Sequence, residues 1–343
     1  MRDFPAWRFV LEAAASRRMK TLHAALLLAV STTHAGDSFF STDGQTVTFA
    51  PLYKAGVICR VDVGNGKLTE FPLPGELKAV TVTGLARGGQ GEALFLAGTA
   101  AWVMKEDGTM KRISDLGKAS GAENLFVATK PGTPITDWLF FSGTAEKESG
   151  STLFFGRKPG TKSFGQVFCR RVDNVNCGCF ADDGRFFFSG GGDLWEGSIE
   201  PEENAQFMIA TLVGARIAPV AMHNTDSGNG GNMFVSGLSA AGKWIYAGMR
   251  GHHMGCILRV PIPAKPIYAS GESDLPEPKP HLEAMRSSLE KTEVLVTGME
   301  GLTAFAACEV EGKPRVFYRS ENTVLWLWDA SGAPRELARE PGE

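Results

Sequence analysis

The sequence predicts an all-β fold, a six-bladed β-propeller, and three observations predict it. A short motif of two or three apolar residues followed by a small residue and Gly recurs along the chain. Each copy sits in the same strand–turn–strand surroundings. The composition, with 22 Phe and 41 Gly among 343 residues and 43% hydrophobic residues, favours strands and tight turns over helices.

The clear copies are Leu94-Phe95-Leu96-Ala97-Gly98, Leu139-Phe140-Phe141-Ser142-Gly143, Phe186-Phe187-Phe188-Ser189-Gly190 and Trp244-Ile245-Tyr246-Ala247-Gly248. Val47-Thr48-Phe49-Ala50-Pro51 and Val316-Phe317-Tyr318-Arg319-Ser320 are weaker ones. The copies end at positions 51, 98, 143, 190, 248 and 320, so successive intervals are 47, 45, 47, 58 and 72 residues. A four-stranded propeller blade takes about 40 to 50 residues. Before each motif comes another strand and a turn, as in residues 176–181 followed by Asp182-Asp183-Gly184, with Gly supplying the positive φ of a tight hairpin. After it come two more strands: residues 57–61 and 67–73 around Gly64-Asn65-Gly66, residues 102–104 and 110–113 around Asp107-Gly108, and residues 325–328 and 335–337 around Ser331-Gly332.

The two longer intervals read as insertions. Residues 261–280 carry six prolines, which a central strand does not tolerate, and residues 281–291 place Leu282, Met285 and Leu289 on one face of a short helix, so the insertion spans about 261–291. A seventh, degenerate blade in that stretch is one alternative; a pair of stacked β-sandwiches, which needs no such repeat, is another.

The blade grammar along residues 36–340 resembles the NHL-like and gluconolactonase-like six-bladed propellers, most closely at Asn176-Cys177-Gly178-Cys179-Phe180-Ala181-Asp182-Asp183-Gly184-Arg185 and its following motif, and next at residues 232–248. The resemblance covers blade pattern, with no family-specific motif, and the Trp-Asp pair of WD-repeat blades occurs only at Trp328-Asp329.

In a propeller the innermost strands run the same way around a channel, so the residues just before them gather at one mouth. Counting back from each inner strand gives Asp37, Lys78, Glu123, Asn124, Asp173, Asn174, Asn176, Asn229, Asn232 and Glu300. Carboxylate and carboxamide oxygens of this kind suit calcium or a polar ligand, or else cap turns. The resemblance implies a divalent cation at that mouth polarising a lactone carbonyl, with Glu123 or Glu300, Asn176 and Asn232 as its holders. No motif fixes which carboxylate acts as base.

Two further clusters lie elsewhere. Residues 225–231 (Thr-Asp-Ser-Gly-Asn-Gly-Gly) offer oxygen ligands without the spacing of a calcium loop, and Gly251-His252-His253-Met254-Gly255-Cys256 is a soft set for copper or zinc, although adjacent strand histidines face opposite ways. Cys177 and Cys179 share a face of an inner strand; Cys169 falls on an outer strand of the preceding blade, too distant for a disulfide, and Cys308, also on an inner strand, is a more reasonable partner only if the blades sit closer than this register implies. Six cysteines permit disulfides without fixing connectivity, and buried thiols acting as small hydrophobes are the alternative. No haem-attachment sequence, Gly-x-Ser-x-Gly elbow or phosphate loop occurs.

The first 35 residues concern address. Met19-Lys20, an apolar run over 22–30 and Thr33-His34-Ala35 form a secretory-signal pattern cleaved after Ala35, leaving 36–343 as a single propeller domain. The eighteen residues before Met19 read as a long n-region or an upstream start, and Arg17-Arg18 is followed by Met-Lys-Thr rather than the apolar residues of a twin-arginine signal. A buried N-terminal helix is the other reading of this stretch. A net charge of −3 gives no field for nucleic acid, and no stretch is apolar and long enough to span a bilayer. The expectation is therefore a secreted or periplasmic binding protein or scaffold taking a protein, peptide or glycan at its channel mouth. The alternative is a metal-dependent hydrolase of lactonase type using the mouth ring.

Overall fold

A computed structural model describes residues 40–340 apart from 53, 89–90, 129, 146–151, 170–171, 173–174, 191–192, 203–207, 219–233, 251–254, 267–289, 300–301, 303, 321–322 and 331. It is a six-bladed β-propeller, with 24 strands among the described residues in six antiparallel four-strand meanders. Blade 1 holds β1 (Phe40–Thr42), β2 (Thr46–Phe49), β3 (Val57–Asp62) and β4 (Leu68–Pro72). Blade 2 holds β5 (Val82–Arg87), β6 (Ala93–Ala97), β7 (Ala100–Met104) and β8 (Met110–Asp115). Blade 3 holds β9 (Ala119–Val127), β10 (Leu139–Ala145), β11 (Thr152–Arg157) and β12 (Gly165–Cys169), and blade 4 β13 (Val175–Phe180), β14 (Phe186–Gly190), β15 (Asp193–Pro201) and β16 (Met208–Ala218). Blade 5 holds β17 (Phe234–Ala241), β18 (Trp244–Arg250), β19 (Gly255–Pro261) and β20 (Glu293–Met299), and blade 6 β21 (Ala304–Val310), β22 (Lys313–Ser320), β23 (Val324–Asp329) and β24 (Arg335–Arg339).

The six motif copies are the second strands, β2, β6, β10, β14, β18 and β22. Sheet neighbours cover these strands on both edges and adjacent blades cover both faces, which is why they read as unbroken apolar runs rather than alternating ones. Phe95, Phe140, Phe141, Phe187 and Phe188 are fully buried. The small residue of the motif also has a structural reason. Ser142 and Ser189, 2% and 1% exposed, sit opposite β-bulges in the adjoining inner strands, and their hydroxyls serve the extra residue: Asn124 Nδ2 donates to Ser142 Oγ at 3.3 Å, and the Cys177 amide donates to Ser189 Oγ at 3.4 Å. Register shifts mark such bulges in β5, β9, β13 and β17.

Blades 3 and 4 depart from the simple pattern. Their outermost strands pair in parallel, with Val167 opposite Ala210 and Cys169 opposite Leu212, so the two blades form one eight-stranded sheet with β9 and β13 as its ends. Phenyl rings pack the gap between them. Phe186 stacks on Phe126 at 5.5 Å and on Phe188 at 5.6 Å, and meets Phe154 edge-on at 6.0 Å. Gly178 is held to glycine by this cluster, because a Cβ there would come within 2.8 Å of the Phe186 ring.

The described part of the insertion runs from the end of β19 through a bend at residues 264–265 to Pro266 and resumes at Glu290; of the helix expected over 281–291 only Glu290 and Lys291 are described, of the cluster 251–256 only Gly255 and Cys256, which open β19, and the cluster 225–231 lies outside the described residues. Among the described residues no helix is long and apolar enough to cross a membrane. Replacing Phe186 by Ala removes a ring at the junction of blades 3 and 4. Equilibrium denaturation should register a loss of about 3 to 5 kcal/mol; a loss below about 1 kcal/mol would contradict this packing.

Candidate functional site: the central channel

Each inner strand, β1, β5, β9, β13, β17 and β21, is the end strand of its sheet. Among the described residues, six rows of backbone N–H and C=O groups therefore face the axis without a ladder partner, and such groups need water, a side chain or a ligand. Side chains meet part of this demand from the neighbouring blade. Asn124 Nδ2 in β9 donates to the Asn176 carbonyl of β13 at 2.8 Å. Ser239 in β17 donates to the Ala307 carbonyl of β21 at 2.8 Å, while its Oγ accepts from the Ala307 amide at 3.1 Å.

A cavity of about 560 Å³ occupies the channel. Its wall runs from Asn124 and Cys177 in mid-strand to the trailing ends of the inner strands, where Thr42, Arg87, Val127, Asp182, Gly242 and Glu309 stand. Sequence reasoning looked to the leading ends instead. The space lies at the trailing half because the side chains there are small, Ala240, Ala241, Gly242, Ala306 and Ala307 among them. Gly242 has a φ of +55°, and a Cβ on it would meet the Glu309 carboxylate at 2.0 Å, so the carboxylate rests on the turn of blade 5.

Of the residues expected at the mouth, Asn124 lines the cavity. Asn176 is half-buried and contributes its carbonyl to Asn124, and the Glu123 carbonyl accepts from Ser142 Oγ at 3.4 Å. Lys78 is exposed at the end of a short 3-10 turn, Gly75–Leu77, where its backbone packs on Gly56, and it does not line the cavity. Asp37, Asp173, Asn174, Asn229, Asn232 and Glu300 lie outside the described residues. Arg87, Asp182 and Glu309 were missed by sequence reasoning; the available signal was their position within two residues of the end of an inner strand, at or beside the hairpin turn.

Asn124 carries two costs at once. Its φ is +51°, the left-handed region that non-glycine residues seldom adopt, and it is 7% exposed with an Oδ1 that accepts no hydrogen bond among the described residues. The bond to the Asn176 carbonyl fixes which end of the carboxamide is the donor, so the orphaned atom is an acceptor.

A hard divalent cation takes about six to eight oxygen ligands. Among the described residues no three His, Cys, Asp or Glu side chains converge, and Asn124 Oδ1 is the carboxamide oxygen of the cavity wall left without a partner. The described residues alone do not compose such a site.

No protein-family model matches the chain, and no curated protein matches it. Solved structures do. A calcium-binding protein, regucalcin, from Agrobacterium tumefaciens superposes with a TM-score of 0.51 at 13% identity, covering 82% of this chain and 80% of that one. A gluconolactonase from Xanthomonas campestris gives a TM-score of 0.51 at 11% identity, covering 85% of this chain and 87% of that one. At these identities the likeness establishes the propeller fold, in agreement with the class that the blade grammar resembles.

The cysteines are packing groups. Among the described residues Cys59, Cys179, Cys256 and Cys308 are free thiols, so the bond considered between Cys308 and the Cys177–Cys179 pair is not formed. Cys177 and Cys179 are buried in one apolar cluster between blades 4 and 5, which is where their shared strand face points. Burial pushes the Cys59 thiol up to about 12 and the Cys256 and Cys308 thiols up to about 11, and drives Cys179 up as well. A raised thiol pKa favours the neutral form in the folded protein. Its contribution is complete below the ordinary thiol value of 9.0 and is lost as pH rises from there toward 11 to 12. The denaturation midpoint should therefore fall across that window, and a midpoint flat over it would contradict this account of the thiols.

Proposed function

We propose that this chain is an exported six-bladed propeller that binds a small polar ligand within its central channel. The observation that carries the reading is Asn124, a buried, left-handed residue in the cavity wall with an unsatisfied acceptor. Backbone strain and orphaned buried polar atoms each cost free energy, and they persist where function keeps them. A donor on a bound molecule removes the second cost.

Size and lining support the same reading. The cavity, at about 560 Å³, falls within the range of roughly 300 to 1,000 Å³ typical of small-molecule sites. Phe40, Phe126, Phe180 and Phe305 supply apolar wall, and the free edges of the inner strands supply donors and acceptors. These features favour an occupant inside the channel over a macromolecule laid across its mouth. The export part of the reading rests on the signal pattern of residues 19–35.

The test is capture of small molecules from a cell extract on immobilised protein, with mass spectrometry of what denaturation releases. Wild type should retain at least one compound that is lost from Ala306→Phe, which fills the channel, and weakened in Asn124→Ala, both variants being checked for folding by thermal melting. Identical retention by wild type and the folded Ala306→Phe variant would overturn the proposal.

A further inference from the structure

Three charged side chains stand around the trailing end of the channel, one on every second blade: Arg87 of blade 2, Asp182 just after the inner strand of blade 4, and Glu309 of blade 6. All three line the cavity, and among the described residues none makes a hydrogen bond or ion pair through its side chain. Arg87 does lie within electrostatic range of Asp43, but the Asp43 Oδ1 is already occupied by the Gln45 and Thr46 amides at 2.8 and 2.6 Å. The usual fate of opposite charges around a narrow opening is to pair across it. Here they are held apart by the blades that carry them, with Glu309 resting on Gly242 rather than reaching across the opening.

In the same cavity wall, Asn124 carries a buried Oδ1 that accepts no hydrogen bond among the described residues. The wall thus presents one guanidinium and three acceptor groups, two of them anionic. A guanidinium fork matches a carboxylate, and carboxylates and a carboxamide oxygen match ammonium groups. Resting on the channel-binding reading above, we infer that the ligand is a small zwitterion of net positive charge, carrying one carboxylate and two amines, the chemical class of the diamino acids. Its carboxylate meets Arg87, its ammonium groups meet Asp182, Glu309 and the Asn124 carboxamide, and its methylene chain lies against Phe126 and Phe180. The net negative wall also draws such a molecule toward the channel, an effect that falls with ionic strength.

Calorimetric titration with three probes tests this: L-lysine, norleucine, which lacks the second amine, and cadaverine, which lacks the carboxylate. Lysine should bind wild type at least tenfold more tightly than either of the others, roughly the worth of one charge-assisted contact. Arg87→Gln should weaken lysine about tenfold and leave cadaverine unchanged, whereas Asp182→Asn and Glu309→Gln should weaken both by about tenfold. Equal affinity for lysine and norleucine, absence of lysine binding at about 10 mM, or loss of cadaverine binding in Arg87→Gln would each overturn the assignment. Failure here is separable from failure of the channel reading. A neutral compound captured by wild type and lost from Ala306→Phe would overturn the zwitterion and keep the channel, while channel-independent capture would remove both.

Discussion

Among the described residues no strand ties the last blade to the first. Blade 6 is built wholly from β21 to β24 and blade 1 wholly from β1 to β4, so no strand is exchanged across the seam. The seam is closed by side chains. Arg319 in β22, 0% exposed, forms an ion pair with Glu340 at 2.5 Å and donates to the Ala50 carbonyl at 2.9 Å. The other oxygen of Glu340 accepts from the Leu52 amide at 2.8 Å, so one carboxylate binds both blades. Arg315 adds a bond to the Gly44 carbonyl at 2.7 Å. A buried charge left without its partner costs far more than an exposed one. The pair thus holds closed a ring whose six inner edges all need the channel to exist.

The same device, in milder form, recurs around the ring. Arg60 reaches the Glu106 carbonyl from blade 1 to blade 2, Arg157 the Ile113 carbonyl from blade 3 back to blade 2, Lys130 the Asp183 carbonyl from blade 3 to blade 4, and Arg185 the Pro263 carbonyl from blade 4 to blade 5. Blades whose sheets mostly end at their own fourth strand are joined by long cationic side chains that donate to a neighbour's backbone. Such joints fix the inner strands in position, and that fixity keeps Arg87, Asp182 and Glu309 apart and holds Asn124 in a conformation it would not choose alone.

Blade architecture was legible because it depends on local pattern: the apolar–small–Gly copies are second strands, and the hairpin glycines fall where turns occur. The placement of Cys169 on the outer strand of blade 3 was legible for the same reason. Other features depend on pairings remote in sequence. The parallel joint of β12 to β16 leaves no mark in either strand. Arg319 looked like a departure from the small residue of the motif, and only the position of Glu340 explains it. The channel site was legible in part. Asn124 stands out as a polar residue within an inner strand, but the small side chains that put the open space at the trailing ends do so only in sum over several blades. Lys78 was misplaced because it caps the 3-10 turn Gly75–Leu77, and the inner strand β5 begins only at Val82.

The central claim is that a buried ion pair, not strand exchange, closes the ring, and a double-mutant cycle between Arg319 and Glu340 addresses it most directly. Denaturation of Arg319→Met, Glu340→Gln and the double variant should show each single change costing about 3 to 5 kcal/mol. The double should cost little more than either single change, a coupling of more than about 2 kcal/mol. Single effects that simply add, or that each stay below about 1 kcal/mol, would contradict it.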